Sequence, residues 1–96
     1  MVSKINIICK ERLKKYFSIT ESALKKAEKK IIKGREKDGK EILGMVKNYL
    51  SDARYFEKQC HFVNSFAAIN YAHGWLDAGV RLGIFNVKDS KLFTIK

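Results

Sequence analysis

Proline is absent from all 96 residues, so nothing in the chain forces a break in a helix interior. Cysteine is scarce. Cys9 and Cys60 are separated by fifty residues and form no CxxC pair, which excludes a thiolate zinc motif and leaves a single disulfide between them as the less favoured alternative. The two read as reduced, partly buried thiols. Histidine occurs only as His61 and His73. No HExxH, paired-carboxylate or other metal or catalytic motif surrounds either, so no cofactor, no metal and no catalytic residue is assigned. No apolar run approaches the roughly 18 residues of a membrane span. The N-terminal patch Ile5 to Cys9 is shorter than a signal-peptide core and lacks a small-residue cleavage site. The expectations are a cytoplasmic location and no membrane partner. No segment alternates apolar and polar residues with turn signals on either side, so no sheet is expected.

Acidic residues are also few, 10 against 20 Lys and Arg, for a net charge of +10. The excess is uneven. Residues 1–40 hold 13 basic and 5 acidic residues, a net of +8, whereas residues 41–96 hold 7 and 5, a net of +2. Lysine far outnumbers arginine and isoleucine is frequent, a usage that fits a thermophile. Apolar residues at 46% and charged residues at 31% describe a folded protein. A chain of this length forms one small domain with a single core.

Three apolar seams are present. Leu13, Phe17, Thr20, Leu24, Ala27 and Ile31 follow at spacings of 4, 3, 4, 3 and 4, with lysines outside. They predict a basic helix from about residue 4 to 33 within an N-terminal region 1–34. Ser18 to Glu21 matches a capping box, which offers an alternative break near residue 18. Gly34 is the expected stop, and Gly34 to Gly39 the connection. Asp38 to Glu41 is a second capping box, opening a helix over 38–60 with the seam Ile42, Val46, Tyr49, Ala53, Phe56 and Cys60. A short turn then leads to a third helix over 62–84, with Phe62, Phe66, Ile69, Leu76 and Val80 as its seam. Short connections make neighbours antiparallel. The expected fold is all-α, an antiparallel bundle of three main helices. The third helix should end at Gly83, with Ile84 or Phe85 folding back in a Schellman contact. Residues 85–96 form a tail.

The third segment also carries three glycines, and each glycine in a helix interior costs about 1 kcal/mol against alanine. Ala67, Tyr71, Gly74 and Ala78 form one stripe of mostly small residues; Ala68, Ala72, Trp75, Gly79 and Gly83 form another. Small residues allow a second helix to approach closely. Clearance for a ligand is the alternative.

The runs DARYFEKQCHFVNSF and AAINYAHGWLDAGVRLGIF together resemble a family of small archaeal helical proteins catalogued as domain of unknown function 357. The resemblance covers roughly residues 40–87. It implies an all-helical, hairpin-based fold and an archaeal source, and it brings no activity. Where the family typically carries KGDY before the last helix, this chain has KQCHF. A more distant likeness is to HEPN-type helical domains, some of which are ribonucleases with an Arg followed a few residues later by His. Arg54 and His61, with six residues between them, are the one pair that falls within such a spacing, at its upper limit. A single spacing without further motif does not carry the nuclease role over.

Two groups remain as candidate sites. Asn70, His73, Asp77 and Arg81, at spacings of 3, 4 and 4, share one helical stripe beside Trp75. A His with an Asp at i+4 suits a metal or a general base. Structural hydrogen bonding, with Tyr49 or Tyr55 as partners, is the plainer reading, and Asp77 with Arg81 reads as an i,i+4 ion pair. Lys25, Lys29 and Lys33, with Lys26 and Lys30 beside them, read as an exposed basic stripe. It suits a phosphate backbone, but it lacks interleaved aromatics for base stacking and equally describes a solvated helix face. The leading functional expectation is a non-catalytic binding or assembly module, taking a protein partner or forming a homo-oligomer. A nucleic-acid-associated protein using the lysine-rich first helix comes second, and a HEPN-like nucleotide-related enzyme third.

Overall fold

The computed structural model describes residues 10–89, and within them three helices pack on one another: α1, Lys10–Glu28; α2, Glu36–Lys58; and α3, Phe62–Arg81. The architecture is an all-α up-down-up bundle. Tyr16 meets Phe66 and Thr20 meets His73, so α1 runs parallel to α3, and α2 is antiparallel to both. The α2–α3 contact is the most extensive.

The α1 seam behaves as its spacing dictates. Leu13, Phe17, Thr20, Leu24 and Ala27 are all buried, joined by Ala23. The helix runs unbroken through Ser18, and Glu21 pairs with Arg54 on α2 in place of closing a capping box. The expected start near residue 4 lies outside the described residues. The end does not match expectation. α1 stops at Glu28, well before Gly34. The reason is tertiary. Ile31 pairs with Phe85 in an isolated antiparallel bridge: Ile32 N donates to Ile84 O at 2.9 Å and Asn86 N to Lys30 O at 2.8 Å. Ile31 then packs directly on Gly39, where an added Cβ would lie 2.9 Å from its Cγ2. Continuing the helix would surrender these contacts. Gly34, at φ +93°, serves the turn that follows.

The start of α2 is also corrected. The helix begins at Glu36, not Asp38, and Arg35 at the cap position makes no side-chain cap bond. Glu36 accepts from Gly34 N at 2.9 Å, while Asp38 accepts from the Arg35 guanidinium at 3.1 and 3.2 Å. Both acids lie in the first turn, where they oppose the positive end of the helix dipole. Ile42, Leu43, Val46, Leu50 and Ala53 enter the core. Tyr49 and Phe56 are half-buried and Cys60 is exposed, so the lower seam is shallower than its spacing implies.

Both ends of the hairpin turn in the same way. At the end of α3, Ile84 N donates to Gly79 O at 2.8 Å and Gly83 N to Val80 O at 3.1 Å, with Gly83 at φ +75°. This is the expected Schellman motif. It drives Ile84 and Phe85 into the core, both nearly inaccessible. At the end of α2, His61 N donates to Phe56 O at 2.8 Å and Cys60 N to Glu57 O at 3.0 Å, with Cys60 at φ +60°. A cysteine holds a position that glycine ordinarily fills.

Candidate functional site

α3 has three faces. Ser65, Ala68, Ala72 and Leu76 turn inward, and the buried Ser65 hydroxyl donates to Ala53 O on α2 at 2.7 Å. Phe66 and His73 face α1. The third face, formed by Val63, Ala67, Asn70, Tyr71, Gly74, Trp75, Ala78, Arg81 and Leu82, is exposed.

The two small-residue stripes therefore have different fates. Ala68, Ala72 and Gly79 make the close contact with the rest of the bundle. An added Cβ at Gly79 would lie 2.6 Å from Phe85 Cδ2, nearer still to Phe85 Cε2, and 3.4 Å from Ile42 Cδ1. Ala67, Gly74 and Ala78 face outward, and among the described residues nothing lies within 4 Å of a Cβ built on Gly74. The close approach of a second helix expected at Gly74 is made by none of the three described helices, because α1 docks on the other flank, against Phe66 and His73.

The polar stripe divides. His73 and Asp77 are half-buried, while Asn70 and Arg81 are exposed on the outward face with Trp75. His73 Nδ1 shares a 3.1 Å hydrogen bond with Thr20 Oγ1 of α1, and His73 Nε2 lies 3.7 Å from Asp77 Oδ1. The partner of His73 is thus a threonine of α1, not a tyrosine of α2; Tyr55 is exposed and Tyr49 stacks on Tyr71, with ring centroids 5.5 Å apart. Thr20, His73 and Asp77 are a hydroxyl, an imidazole and a carboxylate in series. They do not make a nucleophilic triad. Thr20 is 1% exposed, so its hydroxyl is closed to substrate, and 3.7 Å exceeds hydrogen-bond length. The arrangement ties α1 to α3. Among the described residues, no three His, Cys, Asp or Glu side chains gather to hold a metal ion, and no helix is long and apolar enough to cross a membrane.

The lysines do not form the straight stripe that a helix to residue 33 would give. Lys25 and Lys26 lie in the last turn of α1, whereas Lys29, Lys30 and Lys33 lie in the connection beyond it. All five are exposed. Lys26 pairs with Asp89. Lys26, Lys29 and Lys30 line an open depression of about 550 Å³ with Asn86 and Lys88. A second cleft of about 800 Å³, between α1 and the end of α2, holds Lys10, Lys14, Lys25, Arg54 and Lys58 with Glu21 and Glu57. Its aromatic, Phe17, is buried beneath the Arg54 guanidinium, 4.7 Å from the ring centroid. That leaves it no face on which a base could stack.

The outward face of α3 is the remaining candidate. Tyr71 is 64% exposed, Leu82 65%, Val63 58% and Trp75 38%. Tyr49, Asp52 and Phe56 of α2 flank it and form a shallow groove with Asn64, Ala67 and Tyr71. Its spacing was visible in the sequence as the Ala67, Tyr71, Gly74, Ala78 stripe. The flanking Asp52 and the terminal Leu82 gave no signal, and Tyr49 read only as a seam residue of α2 or a partner for the polar stripe, because they join the face only once α2 and α3 are paired.

A family model described as a protein of unknown function (DUF357) matches residues 15–85. The chain belongs to the DUF357 family. The match begins inside α1, so the basic first helix is part of the DUF357 unit and not an appendage to the hairpin. It ends at Phe85, the residue that closes the core over Gly79. No curated protein and no solved structure matches the chain.

Proposed function

We propose that this DUF357 protein is a non-catalytic helical module that acts by binding a protein, another chain or its own copy, through the outward face of α3 and its α2 flank. The observation that carries the reading is Gly74. A helix-interior glycine costs about 1 kcal/mol, and among the described residues nothing comes near enough to require it. Around it lie exposed Tyr71, Trp75, Val63 and Leu82. Aromatic residues are enriched in protein interfaces and dominate their energetics. The composition and the family resemblance favour a cytoplasmic protein of thermophilic archaeal origin. The test is Tyr71→Lys, which places a charge at the centre of the face without touching the core. It should abolish association while leaving the melting temperature unchanged to within a few degrees. Association that survives the change would refute the reading.

A second reading rests on one observation. Lys29, Lys30 and Lys88 line the same depression, and none has a carboxylate partner among the described residues. Such a cluster would attract a nucleic-acid backbone without sequence preference. Reversing Lys29, Lys30 and Lys88 to Glu should then abolish a gel shift with RNA. If wild-type protein shifts no RNA even at about 50 mM salt, where phosphate contacts are strong, this second reading falls.

A further inference from the structure

We propose that the occupant of the outward α3 face is a second copy of this chain, related by a two-fold axis near Gly74 so that the two α3 helices cross antiparallel. The inference rests on the binding reading above and commits it to one partner.

Charge supports this choice. In a chain of net charge +10, the outward face from Val63 to Ala78 carries no Lys, Arg, Asp or Glu. The lysines are concentrated on α1 and its following turn. An acidic partner would be drawn to α1. Two like-charged copies would instead meet on the neutral face, keeping their basic faces apart.

The two charges at the margins fix the direction. Asp52 flanks the groove beside Ala67, at the N-terminal end of the face. Arg81 lies at the C-terminal end. Both are exposed, and neither has a hydrogen-bonding or ion-pair partner among the described residues. Residues 67 and 81 are each seven positions from Gly74, roughly 10 Å along the axis at about 1.5 Å per residue. An antiparallel pair centred on Gly74 therefore brings Arg81 of each copy to the Ala67 level of the other, where Asp52 stands. A parallel pair would bring Arg81 against Arg81 and Asp52 against Asp52. The contact is isologous, as two-fold interfaces are, and it closes at two copies.

Geometry allows it. Ala67, Gly74 and Ala78 let the second backbone approach to the roughly 8 Å lower limit of helix packing. Tyr71 and Trp75 then lie beside the crossing. A helix of 20 residues with its α2 flank offers roughly 30 by 20 Å, or about 1,200 Å² over both copies, at the lower end of specific interfaces.

The test is sedimentation equilibrium of the full chain from about 1 μM to about 1 mM, the range that resolves pairs of this strength. Wild-type protein should pass from monomer to dimer and stop there. Gly74→Leu, which meets open space among the described residues, should fold normally and remain monomeric. Arg81→Glu and Asp52→Lys should each weaken pairing by about tenfold or more, and the double variant should recover most of it. A dimer indifferent to Gly74→Leu, or one that the double variant fails to rescue, overturns the proposal. So does a chain that stays monomeric throughout. In that case Tyr71→Lys separates the remaining possibilities. Loss of capture of a different protein from cell extract would leave the binding reading standing with another partner. A lowered melting temperature would mean that the chain's own terminal residues cover the face. If Tyr71→Lys produces no loss of capture and no change in melting temperature, the binding reading is overturned as well.

Discussion

Phe85 lies across Gly79, and its ring fills the space that any side chain at position 79 would need. The contact closes the bundle. It follows directly from the Schellman turn at Gly83, which reverses the chain so that the residues after α3 cover its own last turn.

Gly79 and Gly74 should therefore respond oppositely to the same change. Gly79→Ala forces the Phe85 ring aside and should cost about 1–3 kcal/mol, as overpacking does. Gly74→Ala meets no neighbour among the described residues and should stabilise the isolated monomer by up to about 1 kcal/mol through helix propensity. Urea melts at low micromolar protein, with the sign of each change, check the pair.

Cys60 holds a left-handed conformation at the end of α2 without being glycine. An L-residue is strained there by about 1–2 kcal/mol. Its side chain is exposed, so little packing is lost on replacement. Cys60→Gly should stabilise the protein by about 0.5–1 kcal/mol, although glycine gains freedom in the unfolded chain. Thermal melts in reducing buffer would show the rise.

Thr20 and His73 join α1 to α3 through one hydrogen bond. Thr20→Val keeps the shape and removes the hydroxyl. The expected cost is about 1 kcal/mol for the lost bond, and more to the extent that His73 Nδ1 is left without a partner. Thr20→Ser, which restores the hydroxyl, should recover part of it. Equal stability of the Val and Ser variants would contradict the assigned role.

Arg54 meets α1 twice, over the Phe17 ring and at Glu21. The ion pair is half-exposed and should contribute less than about 1 kcal/mol, diminished by salt. The ring contact is partly desolvated and should persist in salt, at about 0.5–1 kcal/mol. A double-mutant cycle of Arg54→Ala with Phe17→Leu, repeated at high salt, should return a coupling energy that hardly changes.

The three seams were legible because helical spacing alone decides which residues can share a face. Leu13 to Ala27 and Ile42 to Ala53 fell where their spacing placed them. The end of α1 was not legible. Ile31 continues the seam in phase, yet its pairing with Phe85 lies 54 positions further along the chain, and no local pattern reveals it. The capping box at Asp38 failed for a similar reason: Arg35 takes that carboxylate, and the helix opens one half-turn earlier. In the candidate site, the stripe around Gly74 was visible, but its direction was not. Gly79 is covered by Phe85 and by Ile42 of α2, whereas α1 docks where Phe66 and His73 meet Tyr16 and Thr20 and does not reach Gly74; none of these pairings is a local pattern.

The most direct measurement is residue-by-residue mapping of the binding surface by amide and indole shifts in NMR spectra of isotopically labelled protein, followed as its concentration rises. Trp75, the lone tryptophan, supplies a single indole signal on the outward face. Concentration-dependent shifts should be confined to Val63, Ala67, Tyr71, Gly74, Trp75, Ala78 and Leu82, with Tyr49 and Asp52 on the flank, while Lys25, Lys29 and Lys33 stay fixed. Shifts concentrated on the lysine-bearing turn after α1, with Gly74 and the Trp75 indole unmoved, would contradict the assignment of the outward α3 face as the surface through which this protein acts.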